Sequence, residues 1–189
     1  IEADGIPLLV ILTSSEVEAY NLETGTQAWT VSCLGGEVAA SPSFSQGRIL
    51  VASQYACAAA IEARTGTLLW ENEDLYLPDV SSPVAYADLL FLFSGTSISC
   101  INAGNGEPLW ERDTDSGFYS SPLVLKDKIV AFDLEGTLHV VRPDRQELFL
   151  EHKLPLKEAV VATPAFARGR MWVRSKKHLF CIEEGDGNR

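Results

Sequence analysis

The sequence predicts an all-β fold made of tandem units, each of them a four-stranded antiparallel sheet. Three observations lead to this prediction. A Gly- and Trp-containing segment recurs along the chain, a Ser-Pro or Thr-Pro dipeptide recurs with a similar period, and each period holds several short apolar runs separated by turn residues. A fixed period of about 40 residues is typical of repeat architectures, in which neighbouring units stack to bury a shared core.

The recurring segment is clearest in the middle of its three copies, where it reads AIEARTGTLLW; the others read AYNLETGTQAW and CINAGNGEPLW. A turn glycine precedes the tryptophan by four residues in every copy. The glycines stand at intervals of 41 and 40 residues, and the tryptophans keep the same intervals. The residues concerned are Gly25, Gly66 and Gly106, and Trp29, Trp70 and Trp110.

The dipeptide landmark begins at Ser41, Ser82, Ser121 and Thr163, at intervals of 41, 39 and 42 residues. Its proline lacks an N–H donor and therefore belongs at the first residue of a strand or at a sheet edge. The landmark divides the chain into repeats 1–41, 42–82, 83–121 and 122–163 and an incomplete repeat, 164–189, that ends before a fourth strand.

The second repeat shows the elements in order. Short runs rich in β-branched, aromatic and other apolar residues predict strands at 42–44, 49–53, 57–63 and 67–70, with turns between them. The first, third, fourth and fifth repeats carry equivalent runs, and no window of similar length shows a helical period. In the fourth repeat the turn reads Pro143-Asp-Arg-Gln146, and Phe149 is predicted to stand at the Trp position.

Four short strands in each repeated unit are the pattern of β-propeller blades. The Ala-x-Asp/Asn-x-x-Thr-Gly-x-x-x-Trp pattern resembles the tryptophan-docking repeat of pyrroloquinoline-quinone-type propellers. That superfamily includes quinoprotein alcohol dehydrogenases and a propeller lipoprotein of bacterial outer-membrane assembly, and the chain resembles the lipoprotein more. WD-type blades lack support because no Trp-Asp dipeptide occurs, and kelch blades because Gly35-Gly36 is the sole double glycine.

The resemblance implies that Trp29, Trp70 and Trp110 dock against Gly66, Gly106 and the turn of the fourth repeat. It also implies that the chain is the C-terminal part of a larger propeller of about eight blades. A small ring of four or five blades, or an open arc completed by a homodimer, is the alternative. The resemblance further points to a periplasmic, cell-envelope or extracellular protein.

Composition excludes some classes of function. The net charge of −11 and the pI of about 4.7 are unlike those of nucleic-acid-binding proteins, which carry clustered positive charge. No apolar run is long enough to span a membrane. The chain contains no recognisable targeting segment.

Catalytic groups are not evident. Quinoprotein dehydrogenases carry an adjacent Cys-Cys pair, whereas Cys33, Cys57, Cys100 and Cys181 are all separate. We therefore expect no quinone cofactor and no metal. We expect the cysteines to be free, small buried residues, and a disulfide is the alternative. His139 and His178 are expected to expose their rings from strands or turns, and His152 to lie in a polar connection.

The predicted function is that of a non-catalytic scaffold that binds a protein or an extended ligand through loops on one face. The loops 74–78 and 113–119 hold Asp74, Tyr76, Asp113, Phe118 and Tyr119, among which the aromatic residues are types common at interface hot spots. A divergent quinoprotein oxidoreductase and the sensor ectodomain of a signalling protein are the alternatives.

Overall fold

The computed structural model describes residues 1–183, which form nineteen β-strands and no helix. The strands form five antiparallel sheets, four with four strands and one with three, and the strands of each sheet follow one another in the chain. The all-β prediction is thus confirmed. No helix among these residues is long and apolar enough to cross a membrane.

The sheets are numbered here as blades 1 to 5 in chain order. Blade 1 consists of β1 (Glu2–Ala3), β2 (Ile6–Leu12), β3 (Glu16–Asn21) and β4 (Gln27–Ser32). Blade 2 consists of β5 (Ser43–Ser45), β6 (Arg48–Ala52), β7 (Ala58–Glu62) and β8 (Leu68–Asn72). Blade 3 consists of β9 (Val84–Tyr86), β10 (Leu89–Ser94), β11 (Ser97–Asn102) and β12 (Pro108–Asp113).

Blade 4 consists of β13 (Leu123–Leu125), β14 (Lys128–Phe132), β15 (Thr137–Arg142) and β16 (Phe149–Pro155). Blade 5 consists of β17 (Ala165–Ala167), β18 (Arg170–Arg174) and β19 (Leu179–Glu183). The sequence-based expectation that this repeat ends before a fourth strand concerns residues 184–189, which lie outside the described residues.

The antiparallel order gives the molecule two faces. One face carries the turns between the first and second strands of each blade and those between the third and fourth strands of blades 1 to 4; we call it the turn face. The opposite face carries the turns between the second and third strands together with the connections between blades, and we call it the loop face. The connections are residues 33–42, 73–83, 114–122 and 156–164.

The Ser-Pro and Thr-Pro landmarks join the blades to one another. The backbone N–H of Ser41 donates to Oγ of Ser82 at 2.9 Å, that of Ser82 to Oγ of Ser121 at 3.0 Å, and that of Ser121 to Oγ1 of Thr163 at 2.9 Å. Each bond links the start of one blade to the start of the next. The N–H of the Ser that precedes each proline is not paired in a strand ladder, and a hydroxyl of the next blade accepts its hydrogen bond instead.

The core is divided into layers between neighbouring blades. The layer between blades 1 and 2 includes Val17, Trp29, Ile49 and Val51, and similar clusters lie between the later pairs of blades. Burial of apolar side chains on both sides of each inner sheet explains why the strands of blades 2 and 3 read as near-continuous apolar runs.

Candidate protein-interaction surface

The three repeated tryptophans lie at the junctions between blades. Each indole Nε1 donates to a carbonyl in the turn that joins the third and fourth strands of the next blade. The bonds run from Trp29 to Ala63 at 3.1 Å, from Trp70 to Ala103 at 2.9 Å and from Trp110 to Asp144 at 3.1 Å. Every contact therefore points from one blade to the blade that follows it.

Glycine lets the indole approach the turn. Gly66 has a φ of 72°, and a Cβ at that position would lie 2.7 Å from Cγ of Trp29. Gly106 has a φ of 76°, and its Cβ would lie 2.5 Å from Cε3 of Trp70. A side chain is excluded at both positions by the backbone conformation and by the ring. Gly25 shares the positive φ, but no atom lies within 4 Å of the position of its Cβ.

Blade 4 departs from this pattern. In blades 1 to 3 the tryptophan pairs across the strands with Ala19, Ala60 or Cys100, next to an irregularity in the register. The equivalent pair in blade 4 joins Val140 to His152. Phe149 is therefore not at the Trp position, and the prediction that placed it there is wrong. Val140 and His152 are 12 positions apart in the chain, whereas Cys100 and Trp110 are 10 apart, and a count from a fixed spacing does not detect this difference.

The histidines also differ from expectation. His139 is 2% exposed, and its Nε2 lies 2.9 Å from Oδ2 of Asp133, also buried, so the prediction of an exposed ring is wrong for this residue. His152 is exposed, as expected, but lies within β16 rather than in a connection. His178 is exposed and its Nδ1 lies 2.7 Å from Oε1 of Glu158.

The cysteines differ among themselves. Cys33, Cys57 and Cys100 are buried, whereas Cys181 is exposed on β19, contrary to the expectation that it is a small core residue. Burial raises the pKa of the Cys33 thiol to about 11 and that of the Cys100 thiol to about 12. Within residues 1–183, no three His, Cys, Asp or Glu side chains are grouped so that they could hold a metal ion.

Four of the five residues predicted to form an interface, Asp74, Tyr76, Asp113 and Tyr119, lie on the loop face at the ends of blade 3 or in the connections beside it. The turn Gly95-Thr96 is the centre of this surface. The ring of Tyr76 lies against Gly95 from one side, and Gly117 contacts the carbonyl of Gly95 from the other. The N–H of Thr114 donates to the carbonyl of Thr96 at 2.8 Å. The connections before and after blade 3 therefore meet at one turn.

Exposed side chains lie in the two connections that meet at this turn and at the end of β12. Tyr76 is 53% exposed and Tyr119 is 46% exposed, and Asp74 and Asp113 are exposed as well. We call the set Asp74, Tyr76, Gly95, Thr96, Asp113 and Tyr119 the blade-3 surface. A pocket of about 200 Å³ adjoins it, between residues 74–76 and β12.

Phe118 does not belong to this surface. It is 2% exposed and packs edge-on against Phe93 and His139, with ring centroids 5.1 Å away in both pairs. Its assignment as an interface residue is therefore wrong: the ring points into the layer between blades 3 and 4. A hydrophobic residue in a connection can be either an anchor or an exposed contact, and sequence alone does not separate the two.

Hydrogen bonds fix the connections on the loop face. The hydroxyl of Ser94 donates to the carbonyl of Tyr76 at 2.9 Å, and the N–H of Leu134 donates to the carbonyl of Gly117 at 2.8 Å. Asn72 accepts from the N–H of Asp74 at 2.9 Å and donates to the carbonyl of Gly106 in the next blade at 2.8 Å. Sequence reasoning missed Asn72, although a polar side chain two residues after the docking Trp was visible.

A cation adjoins the acidic side of this surface. Nζ of Lys153 lies 2.9 Å from Oδ2 of Asp115, and the hydrogen bond from this ammonium lowers the pKa of the carboxyl group. Asp115 thus stays ionised at neutral pH. The surface offers phenol rings and carboxylates.

Five consecutive antiparallel sheets, with an indole that joins blade 1 to blade 2, blade 2 to blade 3 and blade 3 to blade 4, define a β-propeller of PQQ-like repeats. A family model described as outer membrane protein assembly factor BamB matches residues 13–92 and 94–189. The chain belongs to this family.

Individual relatives agree with this assignment. The chain is 28% identical over 95 residues to outer membrane protein assembly factor BamB of Yersinia pestis, a match that covers 49% of this chain and 24% of the relative. The structure of BamB from Moraxella catarrhalis is similar with a TM-score of 0.77 at 15% identity, over 97% of this chain and 62% of that one. The chain therefore matches less than two thirds of either relative's length.

A catalytic protein shares the fold. A europium-containing methanol dehydrogenase is similar with a TM-score of 0.66 at 10% identity, over 93% of this chain and 49% of that one. At this identity the likeness shows the fold alone.

Proposed function

We propose that the chain is a non-catalytic scaffold domain that takes part in the assembly of outer-membrane proteins and binds a protein partner through the blade-3 surface. The observation that carries the proposal is the meeting of two inter-blade connections at Gly95-Thr96, with Tyr76 exposed against this turn and Tyr119 exposed in the connection that follows blade 3. Membership of the family of outer membrane protein assembly factors supplies the biological setting.

The chemistry of the surface suits protein recognition. A Tyr ring offers a large apolar area and a hydroxyl at little cost in conformational entropy. The carboxylates of Asp74 and Asp113 beside the rings favour a partner with basic groups, because complementary charge speeds association and excludes wrong partners. Hydrogen bonds that hold the connections in place lower the ordering cost on binding.

The residues present do not fit the quinone site of the dehydrogenases that the repeat resembles. The sequence has no adjacent cysteines to stack on a quinone, and residues 1–183 offer no cluster of metal-ligating side chains. We therefore favour the scaffold over an oxidoreductase, and a location in the cell envelope, where outer-membrane assembly takes place.

Site-specific photo-crosslinking tests the proposal. The full-length native gene product is given a photo-reactive amino acid at Tyr119, with Gln46 on the turn face as the control site, and the crosslinked proteins are identified by mass spectrometry. We expect Tyr119 to capture a component of the outer-membrane assembly machinery that Gln46 does not capture. Equal capture from both positions, or from neither, contradicts the proposal.

Charge reversal at the same surface gives a second test. Asp74→Lys and Asp113→Lys should weaken capture of the partner, while circular dichroism and the urea midpoint remain those of the parent protein. A partner that is retained undiminished by both variants rules out this surface.

A further inference from the structure

A groove of about 660 Å³ opens on the turn face between blades 4 and 5. Blade 4 contributes Val130, Leu138 and Val140 to its lining, and blade 5 contributes Met171 and Ile182. It lies opposite the loop face and is therefore distinct from the blade-3 surface. A concave apolar site of this size is large enough for one or more side chains of a ligand.

The groove follows from the change in blade 4. Val140 is the cross-strand equivalent of Ala60, which pairs with Trp70 in blade 2. In blade 4 the partner of Val140 is His152, which is exposed and does not line the groove. The groove thus lies beside the position where the other junctions hold an indole.

The rim of the groove is cationic. Lys126, Lys128, Arg168 and Arg170 line it together with two acidic residues, Asp127 and Glu183. Nζ of Lys128 lies 2.6 Å from Oε1 of Glu151, and Nε of Arg170 lies 3.1 Å from Oε2 of Glu183. Lys126 and Arg168 are exposed and form no ion pair within residues 1–183.

This local excess of positive charge contrasts with the net charge of −11 of the whole chain. Positive charge around an apolar floor favours a ligand that is itself both acidic and apolar, because desolvated apolar contacts supply affinity and the rim selects the sign of the charge. The turns that carry Lys126 and Arg168 both have a positive φ, of 58° and 52°, at these non-glycine residues. The two cations therefore stand at matching positions of adjacent blades.

We propose that this groove binds an acidic segment of a protein partner that carries a tryptophan or a similarly large aromatic side chain. The aromatic ring lies on Val140 and Met171, next to the space that an intramolecular indole fills at the other junctions, and the flanking carboxylates pair with Lys126 and Arg168. The partner thus supplies the large aromatic side chain that blade 4 lacks at this junction.

A short peptide tests this binding mode directly. The probe is a fluorescein-labelled peptide of sequence Glu-Asp-Trp-Asp-Glu, and its anisotropy is measured during titration with the full chain. We expect saturable binding that weakens with added salt, and about tenfold weaker binding when Ala replaces the Trp of the peptide. Absence of saturable binding, or equal binding of both peptides, overturns the proposal.

Variants of the protein locate the site. Lys126→Glu and Arg168→Glu should each weaken binding by about tenfold, whereas Lys177→Glu, the same charge change on the loop face, should leave the Kd within about twofold. His152→Trp should restore an indole at the junction and also weaken binding. Because all four positions are exposed, the variants are expected to fold, and circular dichroism checks this.

Two other occupants are distinguished by further measurements. Vesicles that contain phosphatidylglycerol should not displace the peptide; displacement would assign the groove to an anionic lipid surface and overturn the proposal. Deletion of residues 184–189 should leave the Kd unchanged. If peptide binding appears only after that deletion, the chain's own C-terminal residues fill the groove, and the proposal is wrong.

Discussion

Replacement of Trp29 by Ala should lower the free energy of unfolding by about 4–5 kcal/mol. The indole is 9% exposed, so nearly all of its surface is removed from water. Burial of roughly 200 Å² of aromatic surface at about 25 cal/mol per Å² corresponds to about 5 kcal/mol. The lost hydrogen bond to the carbonyl of Ala63 adds about 1 kcal/mol, and partial collapse of the cavity offsets part of the total.

Two further variants separate the contributions. Trp29→Phe retains most of the apolar contact but not the N–H donor, and it should cost about 1–2 kcal/mol. Trp70→Ala should cost about 3 kcal/mol, at the lower end of the range for a buried Trp, because Trp70 is only half-buried. The order of the three values follows from burial and hydrogen bonding at the blade junction.

Trp172 offers a matched control, because the same substitution is made where the ring is 37% exposed. Trp172→Ala should cost about 2–3 kcal/mol, clearly less than Trp29→Ala, because more of its ring surface is already in water and no indole hydrogen bond within residues 1–183 is lost. The assay is urea unfolding followed by far-UV circular dichroism, which does not depend on the fluorescence of the tryptophan that is removed. If Trp29→Ala is no more destabilising than Trp172→Ala, the assignment of the indole as a contact that joins the blades is refuted.

Three other predictions follow from particular side chains. Phe118→Ala should cost about 3–5 kcal/mol and Tyr119→Ala less than about 0.5 kcal/mol in the same urea assay, since only Phe118 is buried; equal costs would contradict their placement. Ellman's reagent should label Cys181 quickly in the native chain and the other three thiols only after unfolding, because burial raises their pKa values; fast labelling of all four would refute this. Hydrogen bonds from the hydroxyl and N–H of Thr65 lower the pKa of Glu62, so its ionised form stabilises the fold above the unfolded-state pKa and this contribution is lost as the pH falls through the folded-state pKa. Glu62→Gln should therefore lower the urea midpoint at pH 7, and the difference from the parent should shrink below about pH 4; a difference independent of pH would contradict the mechanism.

The fold could be predicted from the repeat because the same residues meet a local requirement and a requirement of the contact between blades. The glycine at 66 is needed both for a positive φ and for the approach of Trp29, so a single residue type marks a turn and a contact between blades. The recurring Ser before Pro likewise marks a strand start and donates or accepts a bond to the next blade. A residue that is needed for two physical reasons recurs in more copies of the repeat, and is therefore easier to detect in the sequence, than a residue needed for one.

The features that the sequence did not predict depend on strand register and on the direction in which a side chain points in the folded chain. His152 occupies the Trp position because two more residues separate it from Val140 than separate Trp110 from Cys100, and only the strand pairing shows this. Phe118 and Tyr119 are adjacent and both aromatic, yet one points into the core and the other to solvent. His139 is buried beside Asp133, a pairing of residues six positions apart that no repeat pattern predicts.

The candidate sites lie where the chain departs from its own repeat. Where the pattern is intact, at Trp29 with Gly66 and at Trp70 with Gly106, each blade uses the next one to bury its apolar residues, and an indole fills the space against the glycine turn. The connections around Gly95-Thr96 differ in length and sequence from blade to blade, so they can present exposed rings without disturbing a junction. At the junction of blades 4 and 5 the indole is missing, and the space beside Val140 stays open with cations at its rim. Since a repeat conserves whatever holds the blades together, residues that recognise a partner must be sought among those that the repeat leaves free to vary.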